Sequence, residues 1–211
     1  MADYTFFFNP MSRAQIARWA LHEAAADYDP VFVPWEDKPS ALLAANPMGK
    51  LPTIIHHART GDRVVSEAAA VCHYLAEASA PDLLPREEET ADYFRWMFFA
   101  AGPLEAAVTS HAFGWEPNER QQMTAGFGTF ELAIDTLASW FETHDHVCGS
   151  RFTMADVYVG SQVDWGLMFG TMPARDTLSA YAERLRARDA YRQAKAIDTE
   201  LYEKMTEEAG G

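Results

Sequence analysis

The sequence predicts an α/β unit followed by an all-α unit, and three observations carry that expectation. Short strand-type runs alternate with helical periodicities up to about residue 80, no strand signal occurs beyond residue 85, and the stretch between them, APDLLP, holds two prolines and no periodicity. The expected boundaries are an α/β domain at 1–80, a linker at 81–86 and a helical domain at 87–211. A chain of 211 residues is long enough to bury a core in each part.

Tyr4 to Phe8 (YTFFF) is an aromatic and β-branched run of strand type, closed by Asn9-Pro10. Tyr4 lies inside this strand and reads as a core or edge aromatic. From Ser12 the apolar residues Ile16, Trp19 and Ala20 recur at helical spacing, with Ser12 placed to cap the helix. Pro30 to Pro34 (PVFVP) reads as a second strand, at an edge because of its prolines, and Lys38 to Ala45 as a short helix. Thr53 to His56 is a third strand, Thr60-Gly61-Asp62 a hairpin turn and Arg63 to Val65 a fourth strand. SEAAAVCHYLAEA then predicts a helix with Ala70, Val71, Tyr74 and Leu75 inward. Beyond the linker, helices are expected at about 87–112, 118–144, 153–168, 174–187 and 189–206, with Pro103, Pro117 and Pro173 as kinks or stops. FTMADV places Thr153 three residues before Asp156, which is a capping box with Asp in place of Glu and gives Asp156 a structural role. Glu87-Glu88-Glu89 is a favourable acidic first turn, not a metal site.

The rest of the first half is arranged around Asn46 to Ile55, NPMGKLPTII. A turn-forming Pro-Met-Gly runs into an apolar strand, and Pro52 sits where a proline forfeits a ladder hydrogen bond. If the Leu51-Pro52 bond is cis, Leu51 presents a free backbone N–H and C=O, and an extended peptide can pair with it as an added strand.

Charge and composition narrow the partners. The net charge is -14, with 6 basic and 9 acidic residues in 1–80 (-3) against 11 and 22 in 81–211 (-11). That balance argues against nucleic acid or an anionic membrane surface as partner. No stretch approaches the ~20 apolar residues of a membrane span. MADYTFFFNP lacks the basic and apolar regions of a signal peptide, so a cytoplasmic protein is expected. Cys72 and Cys148 form no CxxC pair or metal cluster and read as buried, unreactive thiols.

Taken in order, these features resemble the cytosolic glutathione transferases over nearly the full chain. The resemblance rests on the N-terminal βαβ unit, GKLPTI, the hairpin leading into SEAAAVCHYLAE, the proline-containing linker and the all-helical segment with its FTMAD box. It implies a thioredoxin-like first domain, a helical second domain, a homodimer, and glutathione as co-substrate with no metal. The implied reaction is conjugation of the glutathione thiolate to small, largely hydrophobic electrophiles. A transferase-like binding or regulatory protein without turnover and a glutathione-dependent isomerase or dehalogenase are the alternatives. The chain lacks the serine- and cysteine-rich loop of the maleylacetoacetate isomerases and the reactive cysteine of reductase-type relatives.

The resemblance also implies the site. Leu51, before Pro52, would pair main chain to main chain with the cysteinyl part. Glu67 would meet the γ-glutamyl ammonium, and the N–H of Ala68 its carboxylate; Ala68 stands where the family has serine, so Ser66 is the remaining hydroxyl. Lys50 is the candidate for the glycyl carboxylate. Ser12 and Asn9 are the catalytic candidates that would hold the sulfur as thiolate, and the alignment leaves open whether Ser12 faces the sulfur or caps its helix. Met11, His111, Phe113 and Trp115 are candidates to line a hydrophobic co-substrate pocket between the domains.

Overall fold

A computed structural model describes residues 2–210, with side chains described as far as residue 207. The chain divides into two compact units, Met1–Leu84 joined by Ala187–Gly211, and Pro85–Arg186. The last helix therefore groups with the first unit, whereas the sequence reading joins it to the helical segment before it.

In the first unit a four-stranded mixed sheet runs in the order β2-β1-β3-β4. β1 (Tyr4–Phe8) is central and almost wholly buried, as its unbroken aromatic run requires of a strand covered on both faces. β2 (Tyr28–Phe32) pairs with it in parallel from Tyr4↔Tyr28 to Phe8↔Phe32 and is an edge, where Pro30 is tolerated. The strand starts two residues before the predicted run because Val33 and Pro34 leave the ladder; the Val33 N–H still bonds Phe8 O at 2.8 Å. β3 (Thr53–Ala58) is antiparallel to β1, and β4 (Gly61–Ser66) is antiparallel to β3. α1 (Ala14–Glu23) and α3 (Ala68–Ser79) bury Ile16, Leu21, Val71 and Leu75, and α2 (Ser40–Ala45) buries Leu42 with Phe7 and Val33. Tyr4 is a core residue: it stacks on His56, its hydroxyl meets Ser79 Oγ at 2.7 Å, and burial raises its pKa.

The second unit is helical among its described residues apart from an isolated bridge, His146↔Gly149. α4 (Thr90–Phe99) and α5 (Glu105–Ala112) are joined without a break by a π-turn, Ala100–Leu104, which contains Pro103. Pro103 has no N–H, and the wider turn accommodates it without ending the helix. The helix expected over 118–144 is two: α6 (Glu119–Gln122) and α7 (Phe130–Trp140). Gly128, at φ +65°, leads into Thr129, whose hydroxyl caps α7 by accepting from the Leu132 N–H at 3.1 Å. α8 (Met154–Met168) is buried on nearly all sides through its first three turns, and α9 (Asp176–Arg186) packs so closely on it that a Cβ on Gly160 would lie 2.1 Å from Leu185 Cδ1. Asp156 does more than complete the expected capping box. Its fully buried carboxylate accepts from Thr153 N (2.8 Å), Thr153 Oγ1 (3.2 Å), Val147 N (2.8 Å) and Tyr181 Oη (2.9 Å).

α10 (Asp189–Gly210) packs antiparallel on α1. The order of their contacts shows it: Gln15 with Lys195, Trp19 with Tyr191, and Glu23 with Arg188. Between them Arg18 is buried, bonded to Asp198 at 2.9 Å and flanked by the rings of Phe6 and Phe8.

Candidate functional site

The register of the sheet brings three segments to one end. Phe7 pairs with Thr53, and Thr53 pairs with Ser66. The loop after β1, the turn before β3 and the start of α3 therefore share that end, and they carry Asn9–Ser12, Lys50–Pro52 and Ser66–Ala68.

The middle segment is held by a polar knot. Asn46 is buried and donates through Nδ2 to Lys50 O (3.1 Å) and Thr53 Oγ1 (3.1 Å), while its Oδ1 accepts the Met48 N–H (3.2 Å). Thr53 Oγ1 donates in turn to Lys50 O at 3.0 Å. Gly49, at φ +60°, closes the turn against Leu43 and the Lys38 side chain, where a Cβ would meet carbons at 3.1 Å. The Leu51-Pro52 bond is cis. The ladder begins at Thr53, and among the described residues neither the N–H nor the C=O of Leu51 pairs with another backbone group. This is the free pair that an extended peptide requires. Lys50 and the aliphatic stem of Lys38 flank the turn; sequence reasoning missed both Asn46 and Lys38. The Asn-Pro pair that opens the turn was the available signal for Asn46.

At the start of α3, Glu67 has φ +68° and ψ +118°. A glutamate in the left-handed half of backbone space is strained by about 1–3 kcal/mol, and such strain persists where the surroundings impose it. Its carboxylate is exposed, and no side chain caps the helix. Val71 is the first residue of the helix whose N–H finds its partner, Glu67 O at 2.9 Å, so the N–H groups of Ala68, Ala69 and Ala70 are available to an anion. Ser66 is half-buried at the end of β4.

The loop after β1 settles the positions of the two catalytic candidates differently. Asn9 is fully buried; its Nδ2 donates to Val33 O (2.9 Å) and its Oδ1 accepts the Met11 N–H (2.9 Å). The sequence offered Asn9 as a donor to sulfur; in the structure one Nδ2 hydrogen and Oδ1 hold the loop. Ser12 is half-buried, and its bonds are those of a helix cap within the turn. Its Oγ accepts the Ala14 N–H (3.1 Å) as a cap and donates to Asn9 O (2.8 Å), which also accepts the Ser12 N–H (3.0 Å).

Of the four pocket candidates, Met11 belongs to the first unit and the other three to the second. Met11, in the first unit, is exposed. In the second unit, His111 stacks on Phe130 at 4.0 Å and meets Glu116 Oε1 at 2.8 Å, while Phe113 and Trp115 are exposed and lie 4.9 Å apart. Trp115 also lines an open cleft of about 680 Å³ with Arg120, Gln121 and Phe127. Burial raises the Cys72 thiol strongly and pushes Cys148 up to about 12, which disfavours the thiolate at both. Among the described residues no cluster of His, Cys, Asp and Glu could hold a metal ion, and no helix is long and apolar enough to cross a membrane.

Residues 10–78 match the family profile described as glutathione S-transferase, N-terminal domain. The chain is 23% identical to glutathione S-transferase GstA of Escherichia coli O157:H7 over 91% of this chain and 97% of that one. It is 27% identical to glutathione S-transferase 1 of Schizosaccharomyces pombe over 69% of this chain and 66% of that one, just under two thirds of the yeast protein. Among solved structures it resembles the glutathione transferase URE2P5 of Phanerochaete chrysosporium, with TM-score 0.78 and 19% identity over 98% of this chain and 99% of that one. It also resembles the theta class enzyme of Xanthomonas axonopodis pv. citri, solved with glutathione bound, with TM-score 0.70 and 24% identity over 92% and 97%. These two likenesses establish the fold.

Proposed function

We propose that the chain is a glutathione S-transferase that binds glutathione at the shared end of the sheet and transfers its sulfur to small electrophiles, as the match of residues 10–78 and the likeness to GstA over nearly the whole chain support. The observation that carries this reading is the register, Phe7↔Thr53 and Thr53↔Ser66, which gathers the three segments the tripeptide needs. Leu51 offers the cysteinyl residue an N–H and a C=O. The free N–H groups of Ala68–Ala70, with the Ser66 hydroxyl, suit the γ-glutamyl carboxylate, and Glu67 suits its ammonium. Pro52 fixes the direction of Leu51, and Lys50 with Lys38 supplies positive charge for the glycyl carboxylate. Alanine at position 68 removes one hydroxyl from this set without removing the backbone donor.

In the reaction the bound thiol gives its proton to solvent, the sulfur lone pair forms a bond to an electrophilic carbon, and a leaving group departs with the electrons of its old bond. In addition to an activated double bond no group leaves; the π bond breaks and its electrons take a proton from solvent at the neighbouring carbon. The Ser12 hydroxyl is the proposed donor to the thiolate. Rotation of the hydroxyl about its Cβ–Oγ bond releases the O–H from Asn9 O; that carbonyl keeps the Ser12 N–H and Oγ keeps the Ala14 N–H, so the turn is not left unpaired. Met11 on the same loop is a proposed apolar contact for the electrophile; His111, Phe113 and Trp115 are proposed as aromatic surface for apolar ligands in the second unit.

Calorimetric titration with reduced glutathione, followed by conjugation to 1-chloro-2,4-dinitrobenzene, tests the proposal; saturable binding with turnover supports it, and absence of binding contradicts it. One observation favours the alternative of binding without turnover: Ser12 has spent its hydroxyl hydrogen on Asn9 O. Binding without conjugation across a panel of electrophiles would select it, while isomerisation or dehalogenation would appear in the same panel as products other than conjugates. A homodimer and a cytoplasmic setting complete the reading. Phe94 and Phe98, stacked on α4 and exposed, support an apolar contact between two copies, and two unpaired cysteines suit a reducing compartment.

A further inference from the structure

The C-terminal helix is linked to the loop after β1 through Gln15. Lys195 Nζ on α10 donates to Gln15 Oε1 at 2.7 Å, and Gln15 Nε2 donates to the carbonyl of Pro10. An ammonium only donates and a carbonyl only accepts, so the Gln15 amide can stand between them in one orientation. Turning it over would set two donors face to face at one end and two acceptors at the other. Pro10 has no N–H, and its carbonyl is the peptide oxygen between Asn9, which anchors the loop to Val33, and Met11-Ser12, which would face the sulfur. Without Gln15 that carbonyl has no other protein donor among the described residues.

We propose that Lys195 and Gln15 are positioning residues for the thiol chemistry, through which α10 sets the Pro10 peptide and thereby the orientation of Met11 and Ser12. This rests on the reading that the loop serves a bound thiol. The rest of the α1–α10 contact supports it. The buried Arg18–Asp198 bond and the paired Glu23–Arg188 bonds fix α10 along α1, so the Lys195 stem starts from a rigid base. Residues 180 positions apart, Gln15 and Lys195, thus meet beside the loop that follows the first strand.

Gln15→Glu separates positioning from simple support of the fold. The new carboxylate pairs with Lys195 at least as well as the amide does, yet offers Pro10 an acceptor in place of a donor. Lys195→Met removes the ammonium and keeps the stem, and Lys195→Arg keeps a donor. Both positions are half-buried, so the variants are expected to fold. Two readouts are taken, hydrogen exchange at the Met11 and Ser12 amides and the pH dependence of conjugation. In Gln15→Glu and Lys195→Met, exchange at both amides should quicken by about tenfold or more. Their kinetic pKa for bound glutathione should rise, and kcat should fall about 3- to 10-fold while KM for glutathione changes little. Melting temperature should hold in Gln15→Glu, and Lys195→Arg should restore the wild-type profile. Unchanged exchange in both variants overturns the proposal, and so does faster exchange with an unmoved pH profile. A wild-type protein that binds no glutathione overturns the functional reading instead, and the exchange data then still decide whether Lys195 holds Pro10 through Gln15.

Discussion

Ser12 and Asn9 sit three residues apart and answer to different physics. A free thiol of pKa ~8.5 is only a few per cent thiolate at neutral pH, so a donor that lowers the bound pKa by about one unit multiplies the reactive fraction nearly tenfold. Ser12→Ala should therefore move the pH–rate profile upward and lower turnover by about 10- to 1000-fold, the range for loss of one anion-stabilising donor. It should cost about 1 kcal/mol of stability through the lost cap on Ala14. Asn9→Ala should do the reverse. It strands the Val33 carbonyl and the Met11 N–H in a buried turn and should destabilise the fold by about 2 to 4 kcal/mol in denaturant titration. A pH–rate profile that moves for Asn9→Ala and not for Ser12→Ala would contradict both assignments. Asp156 is the corresponding residue of the second unit. Asp156→Ala leaves the Val147 N–H and the Tyr181 hydroxyl unpaired and should cost about 3 kcal/mol or more, with Tyr181→Phe costing about 1 kcal/mol. Equal losses in the two variants would show that the carboxylate serves Tyr181 alone. Burial and the neighbouring carboxylate hold the Tyr181 pKa well above its usual value, so its hydroxyl remains a donor through the accessible pH range.

At the scale of elements, the junction of β4 and α3 stores backbone strain. Glu67 at φ +68° occupies a conformation that glycine adopts freely, so Glu67→Gly should gain stability by relieving strain, by about 0.5–2 kcal/mol after glycine's own entropy cost. The same change should weaken glutathione binding by about 1 to 3 kcal/mol through the lost carboxylate, and Glu67→Ala should weaken it equally without the gain in stability. Glycine that binds as tightly as glutamate would assign Glu67 to the helix dipole alone. That junction was legible in part: SEAAAVCHYLAE marks the helix, but Glu67 stands at its N-cap and not in its first turn, and nothing in a run of alanines announces a positive φ. Pro52 announced the edge of β3, because a residue without an N–H can sit in few places of a sheet. The Asn-Pro pair announced a turn at Asn46 but not the knot, since its three partners are backbone and hydroxyl groups that any turn possesses. The division of 118–144 into α6 and α7 was missed for a related reason. Gly126 and Gly128 lower helix propensity only modestly, and the decision rests on the Thr129 cap and the left-handed turn before it.

For the whole molecule, the order of strands and helices was readable because each element is encoded within ten or twenty residues. The assignment of α10 to the first unit was not, because Arg18 and Asp198 lie 180 residues apart and no local pattern relates them. The net charge of -14 sets a further constraint: self-association must rely on apolar surface such as Phe94 and Phe98 and not on attraction between like-charged copies. Sedimentation at micromolar concentration should give about twice the chain mass of 23.6 kDa, and Phe98→Glu should return it to one chain. A wild-type protein that sediments as one chain contradicts the dimer. The most direct test of the central claim is a crystal structure with reduced glutathione bound. The account predicts the cysteinyl backbone paired with the N–H and C=O of Leu51, the γ-glutamyl carboxylate on the N–H groups at the start of α3 beside Glu67, and the sulfur within hydrogen-bond reach of Ser12 Oγ. Glutathione seated anywhere other than this end of the sheet, or a Leu51 backbone left unpaired beside it, would contradict it.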